Sequence, residues 1–275
     1  MQKLIRIAVL PVFVLLLALT GAARAGEEAE RLGRVLLLPE VAAMLRSEGL
    51  QYGADLDRDF LGGTGSAHFA AQVDRVYDEA AMLAVMQAQL AARMDAEAIA
   101  ASLAFFDTDM GRKILGLELT ARAAITDEAV EDAARQAVLA AQREGDTRAG
   151  QVSDFIEIND LTDRNLTGAM GSNFQFLRGL AEGGGQKMTE ADILEQVYSQ
   201  EEEIRTDTRA WLDAFLFMAY GPLTDAEMEA YLEFSRTRAG QALNAALFAG
   251  FDEMYGPIYY GLGLSVAQAM QSSEL

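Results

Sequence analysis

Apolar residues recur along most of the chain at three- and four-residue steps, and they alternate every second residue over no strand-length run. The pattern predicts helices throughout. From Glu27 to Leu38 it gives a short amphipathic helix with Arg31 and Arg34 outward, broken at Pro39, which opens a second helix reaching about Phe60. Gly62-Gly63-Thr64-Gly65 ends that helix. Ser66 is then placed to cap a long helix to about Met94, along which Phe69, Val73, Val76, Leu83 and Met86 keep the helical step. A further pattern runs through Leu115, Leu119 and Ile125 and an acidic stretch, Asp127 to Asp132, to about Arg143. Another carries Leu166, Met170, Phe174 and Leu177 on one face and ends near Leu180. Thr189 caps a third, which Gly221 and Pro222 stop after Tyr220. The stretch Phe251 to Gly263, FDEMYGPIYYGLG, gathers Tyr255, Tyr259 and Tyr260 around Pro257 and predicts a kinked or broken helix end.

One block occurs twice. Leu103 to Leu115 reads LAFFDTDMGRKIL and Leu232 to Asn244 reads LEFSRTRAGQALN. In ungapped register Leu103 falls on Leu232, Phe105 on Phe234, Thr108 on Thr237, Gly111 on Gly240 and Ile114 on Leu243. Upstream, Met82, Leu83 and Met86 fall opposite Trp211, Leu212 and Phe215; downstream, Glu118 falls opposite Leu247, so that acid does not repeat. Each copy follows acidic residues, Asp95 and Glu97 or Asp225 and Glu227, that suit the positive first turn of a helix. The predicted unit is a helix, a short corner, and a second helix capped by Thr108 or Thr237 with glycine at its third position. Glycine there disfavours a helix by about 1 kcal/mol against alanine, so its repetition asks for a reason. Packing is the preferred one: without a Cβ, Gly111 and Gly240 let the second helix press against the preceding aromatic residue. An anion at a glycine-bearing helix N-terminus is the alternative.

The F-x-x-T-x-x-G-x-x-[IL] block resembles the core motif of domain of unknown function family 2059, an uncharacterised bacterial family of small, helical, exported proteins. Phe105, Thr108, Gly111, Arg112 and Lys113 match in the first copy; Phe234, Thr237, Gly240 and Gln241 match in the second, where Ala242 stands in place of the usual basic residue. The resemblance implies a helical, exported protein and brings no activity with it. With the repeat, the expected fold is an all-α helical bundle made of two related helical halves. Residues 26–147 surround the copy at 103–115 and residues 148–275 the copy at 232–244, with a boundary near Gly145 to Gly150.

Composition narrows the setting. The first 25 residues read as an export signal: Lys3 and Arg6, an apolar run from Ile7 to Leu19 that is shorter than the ~20 residues needed to span a bilayer, then Ala23-Arg24-Ala25 as a cleavage site. Cleavage predicts a chain beginning at Gly26, periplasmic or secreted, with no transmembrane segment. There is no cysteine, so neither a lipid anchor on a thiol, a disulfide nor thiolate chemistry is available. With 42 acidic against 22 basic residues the net charge is −20, a field that repels nucleic acid and favours basic partners or cations, although solubility is the preferred reading of so acidic a surface.

The search for chemistry assigns no catalytic residue, cofactor or metal. His68 is the one histidine and has no cysteine or second histidine to join it. Asp55, Asp57 and Asp59 have the start of a calcium-loop spacing, but Phe60 and Ser66 stand where glycine and glutamate belong, and a solvated helix face fits better. Gly183 to Lys187, GGGQK, lacks phosphate-loop spacing and reads as a flexible loop. Met82, Met86, Met94 and Met110 read as core. Tyr255, Tyr259 and Tyr260 either pack the terminal helix, the preferred reading, or line a groove. The residues singled out are structural: Phe105, Thr108, Gly111, Phe234, Thr237 and Gly240. The expected function is a non-catalytic envelope protein binding an unknown protein or envelope ligand, with a carboxylate-dependent hydrolase of envelope glycans as the alternative.

Overall fold

A computed structural model describes residues 26–63, 65 and 67–273; the predicted export signal and the Ser66 cap lie outside the described residues. Among the described residues the chain is α-helical without strands. In order, helix α1 (26–35) is followed by α2 (Leu38–Leu61), α3 (Ala67–Val76), α4 (Glu79–Arg93), α5 (Ala96–Phe106), α6 (Asp109–Ala124) and α7 (Glu128–Glu144). Then come α8 (Thr147–Ile158), α9 (Leu161–Glu182), α10 (Glu190–Ser199), α11 (Glu201–Tyr220), α12 (Asp225–Arg236) and α13 (Arg238–Ser273).

Pro39 opens α2 and Gly62, in the left-handed conformation, closes it, as the pattern predicts. Several predicted long helices are instead pairs. Asp78 accepts from the Ala81 amide at 2.7 Å and starts α4 afresh after α3. Asp127 does the same for α7, accepting from Ala129 at 2.8 Å. Asp160, left-handed at φ 53°, separates α8 from α9, and Gln200 separates α10 from α11. Periodicity passes over these breaks; side-chain caps mark the first two, and local backbone conformation alone marks those at Asp160 and Gln200. The opposite correction applies at the end of the chain. α13 runs unbroken past Pro257, because Met254, Ile258, Leu262 and Val266 hold one face in the core. Pro257 and Glu253, whose carbonyl loses its usual donor, both lie on the exposed side.

Two large buried clusters form the interior. The first joins Leu32, Leu90, Ile99, Ile114, Val152, Tyr220, Met228, Leu232 and Leu243; the second joins Leu56, Phe69, Val73, Tyr77, Met82, Leu180, Met254, Ile258 and Leu262. Each takes residues from both sides of the Gly145–Gly150 region. α13 passes through both and packs on α2, α3, α4, α5, α9 and α12. Its crossing with α9 is backbone against backbone: a Cβ on Gly263 would strike the Phe176 carbonyl, and one on Gly179 the Tyr260 carbonyl. Among the described residues no helix is long and apolar enough to cross a membrane.

Candidate functional site

The repeated block builds two corners of the same construction. In the first, Asp95 caps α5 through the Ala98 amide at 2.9 Å, and α5 ends on Phe105 and Phe106. The Thr108 hydroxyl then donates to the Phe105 carbonyl at 2.8 Å and accepts from the Gly111 amide at 3.0 Å. In the second, the Thr237 hydroxyl donates to the Phe234 carbonyl at 2.6 Å and accepts from Gly240 at 3.0 Å. One hydroxyl thus ties the end of one helix to the start of the next. A Cβ at Gly111 would lie 2.5 Å from the Phe105 carbonyl oxygen and against the Phe106 backbone; one at Gly240 would strike the Phe234 carbonyl and lie 2.9 Å from the Ser235 Cα. Backbone occupies the space a side chain needs, and the glycine amide is already bonded to the threonine.

The two corners meet. The Phe105 and Phe234 rings stack at 4.4 Å between centroids and 16° between planes, with Phe106 edge-on to Phe234 at 5.3 Å and Tyr231 stacked on Phe105 at 5.7 Å. Charges cross in both directions. Lys113, in the second turn of α6, donates to both oxygens of Glu227 at 2.7 and 2.9 Å, and Glu227 also completes the capping box of Thr224 at the start of α12. Those bonds, Lys113 first and the Thr224 amide next, hold the Glu227 carboxyl down at about 2. Arg238, in the first turn of α13, pairs with Asp95 and reaches Glu97 at 3.5 Å. The Ala98 amide, then Arg238, lowers the pKa of Asp95. A base from the second helix of each corner therefore reaches the start of the first helix of the other. In the second corner that base is Arg238, one turn before Ala242, which is why the motif comparison overlooks it.

About two turns beyond Gly111 in α6 lies Glu118. Its Oε1 accepts from the Tyr220 hydroxyl at 2.7 Å and the Tyr231 hydroxyl at 3.1 Å, linking α6 to α11 and α12. The residue keeps some accessible surface, but its carboxyl is surrounded by protein, and burial raises its pKa more than the two donated bonds lower it. Burial, and then the negative carboxylate, pushes both phenols well above the ordinary range. Phe155 closes the cluster, 4.8 Å from Tyr231 and 5.4 Å from Tyr220. This acid holds a proton at a pH where an exposed glutamate has lost it. The groups acting on it are the two tyrosines, without a second carboxylate.

A turn further on, Arg122 forms a two-pronged pair with Glu48 of α2, at 3.0 and 2.7 Å, and lies 5.3 Å over Trp211, which stacks on Phe215 at 4.9 Å. The tyrosine-rich stretch flanks this pair. Tyr255 stacks on Phe251 and meets Tyr259 edge-on, Tyr259 packs on Tyr52, and burial pushes Tyr52 up to about 12. Tyr260 turns away and donates to Glu182 at 2.6 Å. Glu118 and Arg122 were discoverable in principle: they are charged residues at helical spacing within the apolar stripe Ile114, Leu115, Ala121 and Ile125. Their tyrosine, tryptophan and glutamate partners come from distant segments that no spacing rule connects.

The remaining candidates are scattered. His68 is exposed on α3. Asp55 pairs with Arg58, Asp57 accepts from the Gly65 amide at 2.6 Å, and all three aspartates lie on α2. Gly183 to Gly185 form a turn, with Gly184 at φ 80°. Met82, Met86 and Met94 are core and Met110 packs against it. Among the described residues no group of three or more acid or histidine side chains could hold a metal ion. A shallow depression of about 570 Å³ lies between the α8–α9 corner and α11, lined by Asp160, Thr162, Arg205 and Arg209 with their neighbours.

Fold and site define an all-α bundle whose recurring block forms a structural joint. Residues 80–138, which span α4, α5 and α6, most of α7 and the first corner, match the family described as an uncharacterized protein conserved in bacteria, DUF2059. No curated protein and no solved structure matches the chain.

Proposed function

We propose that the protein is an exported component of the bacterial cell envelope that binds a partner or ligand through its helical surface and performs no catalysis, and that its two corner-bearing halves derive from one repeated unit. The observation that carries the binding reading is the use made of the repeated residues. Both threonines are caps, both glycines are contact points for backbone, and both phenylalanines are stacked on each other. The shared residues thus serve shape, and a shape kept for its surface is the basis of a binding protein. The export signal read at residues 1–25 and the net charge of −20 favour an envelope location and a basic partner.

A specific observation favours a second reading. Glu118 is a carboxyl of raised pKa among aromatic rings, the environment of a general acid in glycan hydrolysis. Such an enzyme needs a second carboxylate across an open cleft. Crosslinking in the native envelope, with identification of what is captured, tests the first reading: a defined partner supports it. Incubation of the purified protein with peptidoglycan tests the second. Cleavage that is lost in Glu118→Gln, together with no captured partner, would replace binding by hydrolysis.

A further inference from the structure

We propose that the outward face of α10 is the docking surface for a basic amphipathic helix of another protein, an assignment that builds on the binding reading above. α10 is lightly attached to the bundle, packing on α9 and little on α11. Only Ile193 and Val197 are buried, and both stand apart from the two large clusters. The Gly183–Gly185 turn precedes the helix and the Gln200 break follows it. A helix with so little to hold it has no structural need for a second apolar stripe, yet it has one.

Ala191, Leu194 and Tyr198 follow one another at steps of three and four and are all exposed, Leu194 by 40% and Tyr198 by 62%. Tyr198 is the most exposed large apolar side chain described, and its hydroxyl has no hydrogen-bond partner among the described residues. At helical spacing Glu190 falls on one edge of this stripe and Glu195 on the other. Neither is in an ion pair among the described residues, although many acids elsewhere on the surface are. An apolar stripe between two free carboxylates is half of a helix-pairing interface: its complement carries leucine-like residues flanked by lysine or arginine. A second copy of this chain, also at −20, is disfavoured by like charge.

The test uses a labelled amphipathic helical peptide of leucine and lysine as probe, with fluorescence anisotropy against the whole folded protein. Binding is expected, and Leu194→Ser combined with Tyr198→Ser is expected to weaken it about tenfold. Glu190→Gln with Glu195→Gln weakens it too and flattens its salt dependence. Leu139→Ser, an isolated exposed apolar site on α7, leaves it unchanged. A peptide with serine for leucine binds no better to the native protein than the original does to the α10 variant. All five positions are exposed, so the variants keep the helical spectrum of the parent. Absence of binding, or equal binding by native protein and α10 variants, overturns the assignment. Envelope crosslinking that still captures the same partner from those variants would then show that binding stands and that α10 is not its surface.

Discussion

The two corners carry the same local code and end in different structures. α6 leaves the first corner and stops at Ala124; α13 leaves the second and continues to Ser273. α6 packs mainly on α5 and α11, whereas α13 packs on six helices and enters both buried clusters. Where the first corner's helix carries Glu118, the second carries Leu247 at the corresponding position. A threonine cap, a glycine and a phenylalanine therefore specify how a helix begins and which way it turns. They do not specify its length, its neighbours or the polarity of the face it presents, which depend on the apolar positions downstream and on what they meet.

Substituting the glycines tests the shared part of that comparison most severely. Gly111→Leu and Gly240→Leu each place a side chain where backbone already lies, and each is expected to lose about 3 kcal/mol in urea unfolding, the upper end of overpacking costs. Gly240→Leu should be the more damaging, because α13 packs on six helices whereas α6 packs mainly on two. An unchanged midpoint in either would mean that its corner opens freely and that the two are not equivalent.

Glu118 tests the part that differs. Glu118→Ala removes the acceptor that two buried tyrosine hydroxyls share and is expected to lose about 2 kcal/mol. Glu118→Gln keeps the acceptor and removes the buried charge. Because the folded-state pKa is raised, the folded protein binds the proton more tightly than the unfolded chain does. This group's contribution therefore improves as pH falls from neutral through the folded pKa, and levels off below the ordinary glutamate value of 4.5. The native protein should show this gain in thermal melts. Glu118→Gln should lack it and be at least as stable at neutral pH. Asp95 and Glu227, whose pKa values are lowered, lose their contributions as pH falls through values further down, so the windows separate. Equal pH profiles for native protein and Glu118→Gln would place the carboxyl in water.

The smallest expected effect concerns the contact between the corners. A double-mutant cycle of Phe105→Leu and Phe234→Leu should give a coupling of about 1 kcal/mol, the range for paired aromatic rings. Additive losses would mean that the rings touch without supporting each other. The charged crossings, Lys113 with Glu227 and Arg238 with Asp95, are exposed and add little to this.

The corners were legible in sequence because all their determinants lie within a few residues: an acid before the helix, a threonine at the corner, a glycine three places on. The breaks at Asp78 and Asp127 were not, since the helical phase resumes after each and a capping aspartate looks like any other acid in a chain with 42 acidic residues; nor was the left-handed turn at Asp160, which no side-chain cap marks. Pro257 misled in the other direction, because its local preference is to end a helix and the burial of Ile258 and Leu262 overrides it. The Glu118 and Arg122 clusters depended on contacts between segments far apart in the chain. Pattern reading sees a charged residue in an apolar stripe but not the partner that satisfies it.

The path of α13 has a consequence for how the molecule is made. Both interior clusters need side chains from this helix, which follows every other described element in the chain. During synthesis from the N-terminus, α1 to α12 emerge before this helix, and the contacts that α2, α3, α4, α5, α9 and α12 make with it must wait for it. A translation stall before Arg238 would leave the apolar faces of α2, α3, α4, α5, α9 and α12 without their common partner and open to chaperones and proteases.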